Sequence, residues 1–292
     1  MKTLLYLQNN TFESSKTLEY IIDLAQYLNM ALKIIHIQFP DTIVANQASG
    51  NQLFQPPDVY LKAKEEYQSQ TKKNIELLVK QGKIKKEIPF EYYSGMPAGT
   101  LSYLYSIGYF DMLVLENENT KVSLYPYLSI KEIIRFVKCP IWIIPRDKSF
   151  TPMTHFTYFS AYQEEDVNAI GFLLNYFKNN ISSFNTIYFC THNSFDEEIK
   201  RIGYEAFLKE KTECNFIKSH IYVTEKNSPI NQIVNKCIEK DQADLVIALK
   251  DNKNFFQQLF YKSFISTILS DIEYPILILH RENFIKNNNA HL

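Results

Sequence analysis

With 292 residues and 34.3 kDa, the chain exceeds one small domain and fits two of about 100–200 residues each. Lys and Arg total 31 against 32 Asp and Glu, a net charge of −1 with a pI of 6.6, so no global field draws it to nucleic acid or to an anionic membrane. Hydrophobic residues make up 46% and charged ones 22%, which excludes disorder over most of the length. Seven glycines are about a third of the ~7% of an average protein, too few for generous phosphate-cradling loops.

The opening MKTLLYLQNN turns polar at Gln8 and does not read as a secretory signal. Cys139, Cys190, Cys214 and Cys237 stand far apart with no C-x-x-C pair, the usage of a reducing compartment, so a cytoplasmic location is expected. No apolar run reaches the ~18 residues of a membrane-spanning helix. Residues 282–292 are Asn-rich and aperiodic and predict a disordered tail.

Short apolar runs alternate with longer helix-like segments throughout, the pattern of β-α-β units and a parallel sheet, so the fold class is α/β. In the first half, strands are predicted at Thr3–Leu7, Leu32–Gln38, Glu87–Tyr93, Met112–Leu115 and Ile141–Pro145; the last two are continuous apolar runs suited to burial on both faces. Four helices separate them, near Ser14–Asn29, Val59–Gln81, Ala98–Ile107 and Tyr127–Val137. The first carries apolar residues at Leu18, Ile21, Ile22, Ala25 and Leu28 behind a Ser14/Ser15 cap. Between the second strand and the second helix, Pro40 to Pro57 makes a long polar loop at a strand's carboxyl end, where α/β sheets line their ligand crevice.

The second half repeats this order. Asp111-Met112-Leu113-Val114-Leu115 recurs as Asp244-Leu245-Val246-Ile247-Ala248, and Cys139-Pro140-Ile141-Trp142 recurs as Tyr274-Pro275-Ile276-Leu277 at nearly the same offset. Gly95-Met96-Pro97 matches Asn227-Ser228-Pro229, each a turn into a helix. Asp147, Lys148, Ser149 and Pro152 form a polar connector, dividing the chain into lobes at 1–147 and 153–281.

These residues resemble the universal stress protein family, as a tandem of two family domains over nearly the whole chain. The resemblance rests on the ordered set Ile34-Ile35-His36-Ile37, Gly95-Met96-Pro97, Asp111-Met112-Leu113-Val114 and Cys139-Pro140-Ile141-Trp142, together with its duplication. It implies two doubly wound, five-stranded parallel sheets in the order 3-2-1-4-5, of the Rossmann-like, adenine-nucleotide alpha-hydrolase-like type. It also implies that the two fifth strands pair antiparallel, so that the tandem forms an intramolecular pseudo-dimer.

Many members of that family hold ATP in a G-2x-G-9x-G-(S/T) loop after the fourth strand, with an acidic residue ending the first strand. Here the loop is degenerate. In the second lobe its positions fall on Leu249, Asn252, Lys262 and Ser263; in the first they fall on Glu116, Asn119 and a residue between Tyr127 and Ser129. Gln8 or Asn9, and Ser160 or Ala161, stand where the acid should be. Glu116 would set a negative charge beside phosphates, and bulky Tyr125, Phe255 and Leu259 occupy the phosphate region. No cofactor is therefore expected. The alternative is a protein that still holds ATP or AMP in lobe two through Asn252, Lys262 and Ser263, with Lys262 as a point charge on phosphate.

An enzyme needs a positioned acid, base, nucleophile or metal, and the common catalytic motifs are absent. Cys190-Thr191-His192 is the nearest approach to a thiol–imidazole pair, set against the commoner reading of a strand cysteine followed by a solvated loop histidine. His36 reads as a packing residue, and Glu164-Glu165-Asp166 as a helix first turn complementing its dipole. Lys72, Lys73, Lys80, Lys83, Lys85 and Lys86, interspersed with Glu65, Glu66, Glu76 and Glu87, read as a solvated face. Phe256, Phe260 and Phe264 recur at i, i+4, i+8, a helix face for the sheet or, extended by Phe255 and Tyr261, for a partner or a homodimer. The expectation is a non-enzymatic stress-response protein acting through an unidentified protein partner or small ligand, without nucleic acid or membrane.

Overall fold

The computed structural model describes residues 2–8, 15–38, 57–84, 87–117, 130–145, 148–177, 180–224, 230–250 and 274–285. Lys262, Ser263, Asn252, the aromatic run around Phe256, the Asn227-Ser228-Pro229 turn, Asn9, Asn119, Tyr125, Lys85 and Lys86 lie outside the described residues.

Two compact units divide the chain. The first holds β1 (Thr3–Leu7), α1 (Ser15–Tyr27), β2 (Ala31–Gln38), α2 (Pro57–Lys80), β3 (Phe90–Ser94), α3 (Pro97–Ser106), β4 (Met112–Glu116) and α4 (Ile130–Phe136). The second holds β5 (Ile141–Ile144), β6 (His155–Phe159), α5 (Glu164–Tyr176), β7 (Ser183–Cys190), α6 (Phe195–Thr212), β8 (Ile217–Val223), α7 (Ile230–Asp241), β9 (Leu245–Lys250) and β10 (Ile276–His280).

In the first unit the strands stand in the order β3-β2-β1-β4, all parallel. In the second they run β8-β7-β6-β9-β10, again parallel and in the expected order, and β5 adds antiparallel to β10 through Ile143↔Ile276 and Ile141↔Ile278. The predicted antiparallel pairing of the two fifth strands is therefore present, with β5 packed into the second unit. Every residue of β4, β5 and β10 is buried, as continuous apolar runs require.

Local chemistry sets the boundaries. Helix α1 buries Leu18, Ile21, Ile22, Leu24 and Ala25, then stops at Asn29, whose φ of 51° lets the Met30 N–H reach back to the Ala25 carbonyl at 2.9 Å. Gly108 (φ 70°) and Gln242 (φ 49°) end α3 and α7 in the same way, through Tyr109 to Leu104 and Ala243 to Ile238. The expected Glu87 start of the third strand shifts to Phe90 because Pro89 has no N–H to donate; its carbonyl instead accepts from Ile34 at 2.9 Å. Residues 282–284, assigned on composition to the tail, form a 3-10 turn together with Arg281. Phe284 packs on Phe172 of α5, and the Asn168 side chain donates to the Phe284 carbonyl at 2.9 Å.

The Asp that leads each fourth strand has a structural task. Asp111 Oδ2 accepts from the Thr3 N–H at 2.6 Å, and the Asp111 N–H donates back to the Thr3 carbonyl. Asp244 takes the Thr154 and His155 N–H groups at 2.8–3.0 Å and likewise donates back to His155. In both units a carboxylate ties the start of the central strand to its neighbour.

Candidate functional site

The strand order reverses between β1 and β4 in the first unit and between β6 and β9 in the second. In such sheets ligands bind outside the carboxyl ends at the switch point, so the residues just past these strands define the candidate site.

In the first unit Gln8 follows β1 and is 4% exposed. Its Oε1 accepts from the Tyr67 hydroxyl and, at 3.4 Å, from Thr71, both on α2. Its backbone carbonyl lies 2.9 Å from His36 Nδ1. Burial pushes the His36 pKa down against the opposing pull of that carbonyl, which leaves a neutral ring carrying its proton on Nδ1. The ring lies over Tyr67 at 4.3 Å and Tyr92 at 5.2 Å. Glu116, ending β4, is buried and accepts from Thr17 of α1 at 3.1 Å. Asn117 beside it is also buried, with its Oδ1 unpartnered among the described residues.

In the second unit Ser160 follows β6, and the acid that organises the site comes from the helix behind it. Asp166, at the third position of α5, is 3% exposed. Its carboxylate accepts from Tyr158 (2.8 Å), Ser160 (3.0 Å) and the N–H groups of Ala161 (2.8 Å) and Gln163 (3.1 Å). Burial pushes its pKa up while these four donors pull it down. The Ser160 hydroxyl, whose one proton goes to Asp166, lies 3.0 Å from the Tyr204 hydroxyl. Tyr162, held at a φ of 58°, inserts its ring between Tyr188 and Tyr204, each 4.4 Å away. Lys250, the last residue of β9, is 6% exposed.

Of the sequence candidates, Glu116, Gln8 and Asp166 come to the switch points, whereas Glu165 pairs with Arg281 at 2.8 Å. Cys190 and His192 do not form a thiol–imidazole pair. The Cys190 thiol meets the backbone of His192, and burial together with Glu197 pushes its pKa up, the opposite of an activated thiolate. The His192 ring turns to the Thr191 carbonyl and is exposed. Lys72, Lys73, Lys80 and Lys83 are exposed, with Lys83 paired to Glu19, a solvated face as expected.

Tyr67, Thr71 and the Tyr162–Tyr188–Tyr204 stack were not anticipated as site residues. Tyr67, Thr71, Ile75 and Leu78 recur at helical spacing, a signal that shows their inward face but not their partner. A further polar groove of about 580 Å³ lies along the edge strand β8, lined by Arg201, Glu205, Lys209, Lys218, His220 and Lys240. Arg201 is held by Glu198 (2.6 Å) and donates to the Ser219 carbonyl (3.0 Å), while Glu205 accepts the Ser219 N–H (2.7 Å). These side chains occupy backbone groups that an added strand would use. Among the described residues no group of three His, Cys, Asp or Glu is placed to hold a metal ion, and no helix is long and apolar enough to cross a membrane.

No protein-family model matches the sequence, and no curated protein matches it significantly. Solved structures do match the fold. A universal stress protein from Archaeoglobus fulgidus DSM 4304 superposes with a TM-score of 0.67 at 12% identity, over 96% of this chain and 98% of that one. A functionally unknown protein from Pseudomonas aeruginosa PAO1 gives 0.58 at 11% identity, over 97% and 94%. With its strand order, switch points and coverage of both units, the chain has the α/β, Rossmann-like fold of the universal stress proteins.

Proposed function

We propose that this protein is a non-enzymatic, cytoplasmic universal-stress-protein-like binding protein that works through a protein partner or small ligand and has given up ATP-phosphate binding. The observation that carries this reading is the occupation of both switch points by the chain's own side chains. Tyr67 and Thr71 satisfy Gln8 in one unit, and Asp166, Ser160 and Tyr204 satisfy one another in the other. A ligand that displaced these side chains would have to break their hydrogen bonds, leaving buried groups unpaired at about 1–3 kcal/mol each. Glu116 adds a buried carboxylate where a phosphate would lie, and no glycine stands between Gly108 and Gly171 or after Gly203 to bare the backbone.

A second reading rests on Lys250. Lys250, buried at the end of β9, stands two residues before Asn252 in the chain and suits phosphate as a point charge, so lobe two would hold ATP or AMP with Asn252, Lys262 and Ser263. Calorimetric titration of nucleotide-free protein with ATP–Mg separates the two. The first reading expects no heat and no thermal shift at millimolar nucleotide. Micromolar binding that disappears in Lys262→Ala and Ser263→Ala would replace it with the second.

A further inference from the structure

Tyr162 stands in the short loop between β6 and α5 of the second unit. Its ring fills a slot walled by Tyr188 of β7 and Tyr204 of α6, each 4.4 Å away and inclined to it by 20° and 36°. Two rings so close to a third, and so nearly parallel to it, lie on its opposite faces, so the slot is one aromatic ring thick. Tyr162 and Tyr188 are half-buried, which puts the slot at the surface rather than in the core.

The chain keeps this ring in place under strain. A φ of 58° sets the backbone of a bulky residue in the left-handed region that favours glycine. The Tyr162 hydroxyl is buried without a hydrogen-bond partner, and so is Glu197 Oε2. Burial holds up the hydroxyl pKa of Tyr162 and of Tyr188, and the Glu197 carboxylate adds to it in both, which places that acceptor beside the slot. Both groups have lost water without gaining a partner.

No side-chain hydrogen bond fastens the ring. Tyr162 joins the Asp166 network through its backbone N–H, which donates to Ser160 Oγ at 3.0 Å, and rotation about χ1 leaves that bond intact. The slot also indicates what else would fit it. It already takes a phenol, its walls are aromatic, and Glu197 Oε2 is an acceptor without a donor. A tyrosine or tryptophan side chain combines a planar ring with an O–H or N–H donor, and such rings are the usual anchors of protein interfaces.

We propose that Tyr162 is a displaceable plug, and that the slot between Tyr188 and Tyr204 receives a tyrosine or tryptophan side chain of a protein partner. This names the anchor of the partner binding proposed above and rests on that reading. The closed form is the resting state, and a partner engages the fraction of molecules whose slot is open, which lowers its apparent affinity by that fraction.

Titration with N-acetyltyrosinamide, followed by NMR, tests this. Tyr162→Gly suits the left-handed backbone and empties the slot, and it is expected to stay folded and bind the probe. The wild type is expected to bind it about ten- to hundredfold more weakly, as a plug open in about 1–10% of molecules requires. Tyr188→Ala in the Tyr162→Gly background removes one wall and is expected to abolish binding. Tyr162→Phe, which takes away only the unpartnered hydroxyl, is expected to leave the thermal midpoint no lower and to weaken the probe further. The plug is overturned if Tyr162→Gly loses the fold or ignores the probe, if the wild type binds equally well, if binding survives the loss of Tyr188, or if Tyr162→Phe lowers the midpoint. Adenosine bound in preference to the probe would overturn the aromatic side chain as occupant. The ATP–Mg titration above tests the underlying reading separately, and an empty slot that ignores the probe removes only this anchor.

Discussion

His36 is a neutral ring in a polar pocket, and its neutrality makes folding depend on pH. Burial lowers its pKa, as it lowers that of half-buried His220 on β8. Below the ordinary histidine value of about 6.5 the unfolded chain therefore binds more protons than the native one, and stability falls as the pH falls through that window. Each such histidine contributes a slope of up to about 1.4 kcal/mol per pH unit. Urea denaturation between pH 7.5 and 5 is expected to show this loss, and His36→Asn, which keeps a donor toward the Gln8 carbonyl, is expected to flatten it. An unchanged slope in the variant would mean that His36 is not buried neutral. The apolar-apolar-His-apolar pattern of β2 was visible in the sequence. That the ring would meet a carbonyl from β1 and two tyrosines was not, because those partners lie distant in the chain.

The Asp-led fourth strands are a repeated element with a repeated job. Replacing Asp244 by alanine leaves the N–H groups of Thr154 and His155 without the carboxylate that takes both, a half-buried loss worth about 1–3 kcal/mol. Asp111→Ala removes a single exposed contact to Thr3 and is expected to cost at most about 1 kcal/mol. Thermal denaturation of the two variants checks the order, and equal losses would contradict the clamp's dependence on burial. Sequence reading found both aspartates as a motif, since repetition is a property of the chain. It could not say what they held, because the bond runs to a neighbouring strand 108 residues away in the chain for Asp111 and 89 for Asp244.

At the scale of the molecule, β5 belongs by sequence to the first half and by packing to the second unit. Trp142, the single tryptophan, sits fully buried on β5 against Phe177. Removing its ring as Trp142→Ala is expected to cost about 3–5 kcal/mol. A fragment covering residues 138–292 keeps β5 on β10, while one covering 151–292 leaves the β10 edge open. Circular dichroism in urea is expected to give the shorter fragment the lower midpoint. Matching midpoints would show that β5 is dispensable to the second unit.

The sequence by itself determined the α/β class, the five strands of the first half, the inward face of α1 and the duplicated order, because these follow from local periodicity, turn residues and repetition along one chain. It also showed that no glycine stands between Gly108 and Gly171 or after Gly203, since absence of a residue type needs no coordinates. Only the tertiary structure decided what stands at the switch points. Tyr67 reaches Gln8, Thr17 reaches Glu116, and Tyr162 enters between Tyr188 and Tyr204. Each pair joins different stretches of chain whose approach is set by the strand order, and side chains that meet only after the sheet has formed leave no periodic trace in the sequence.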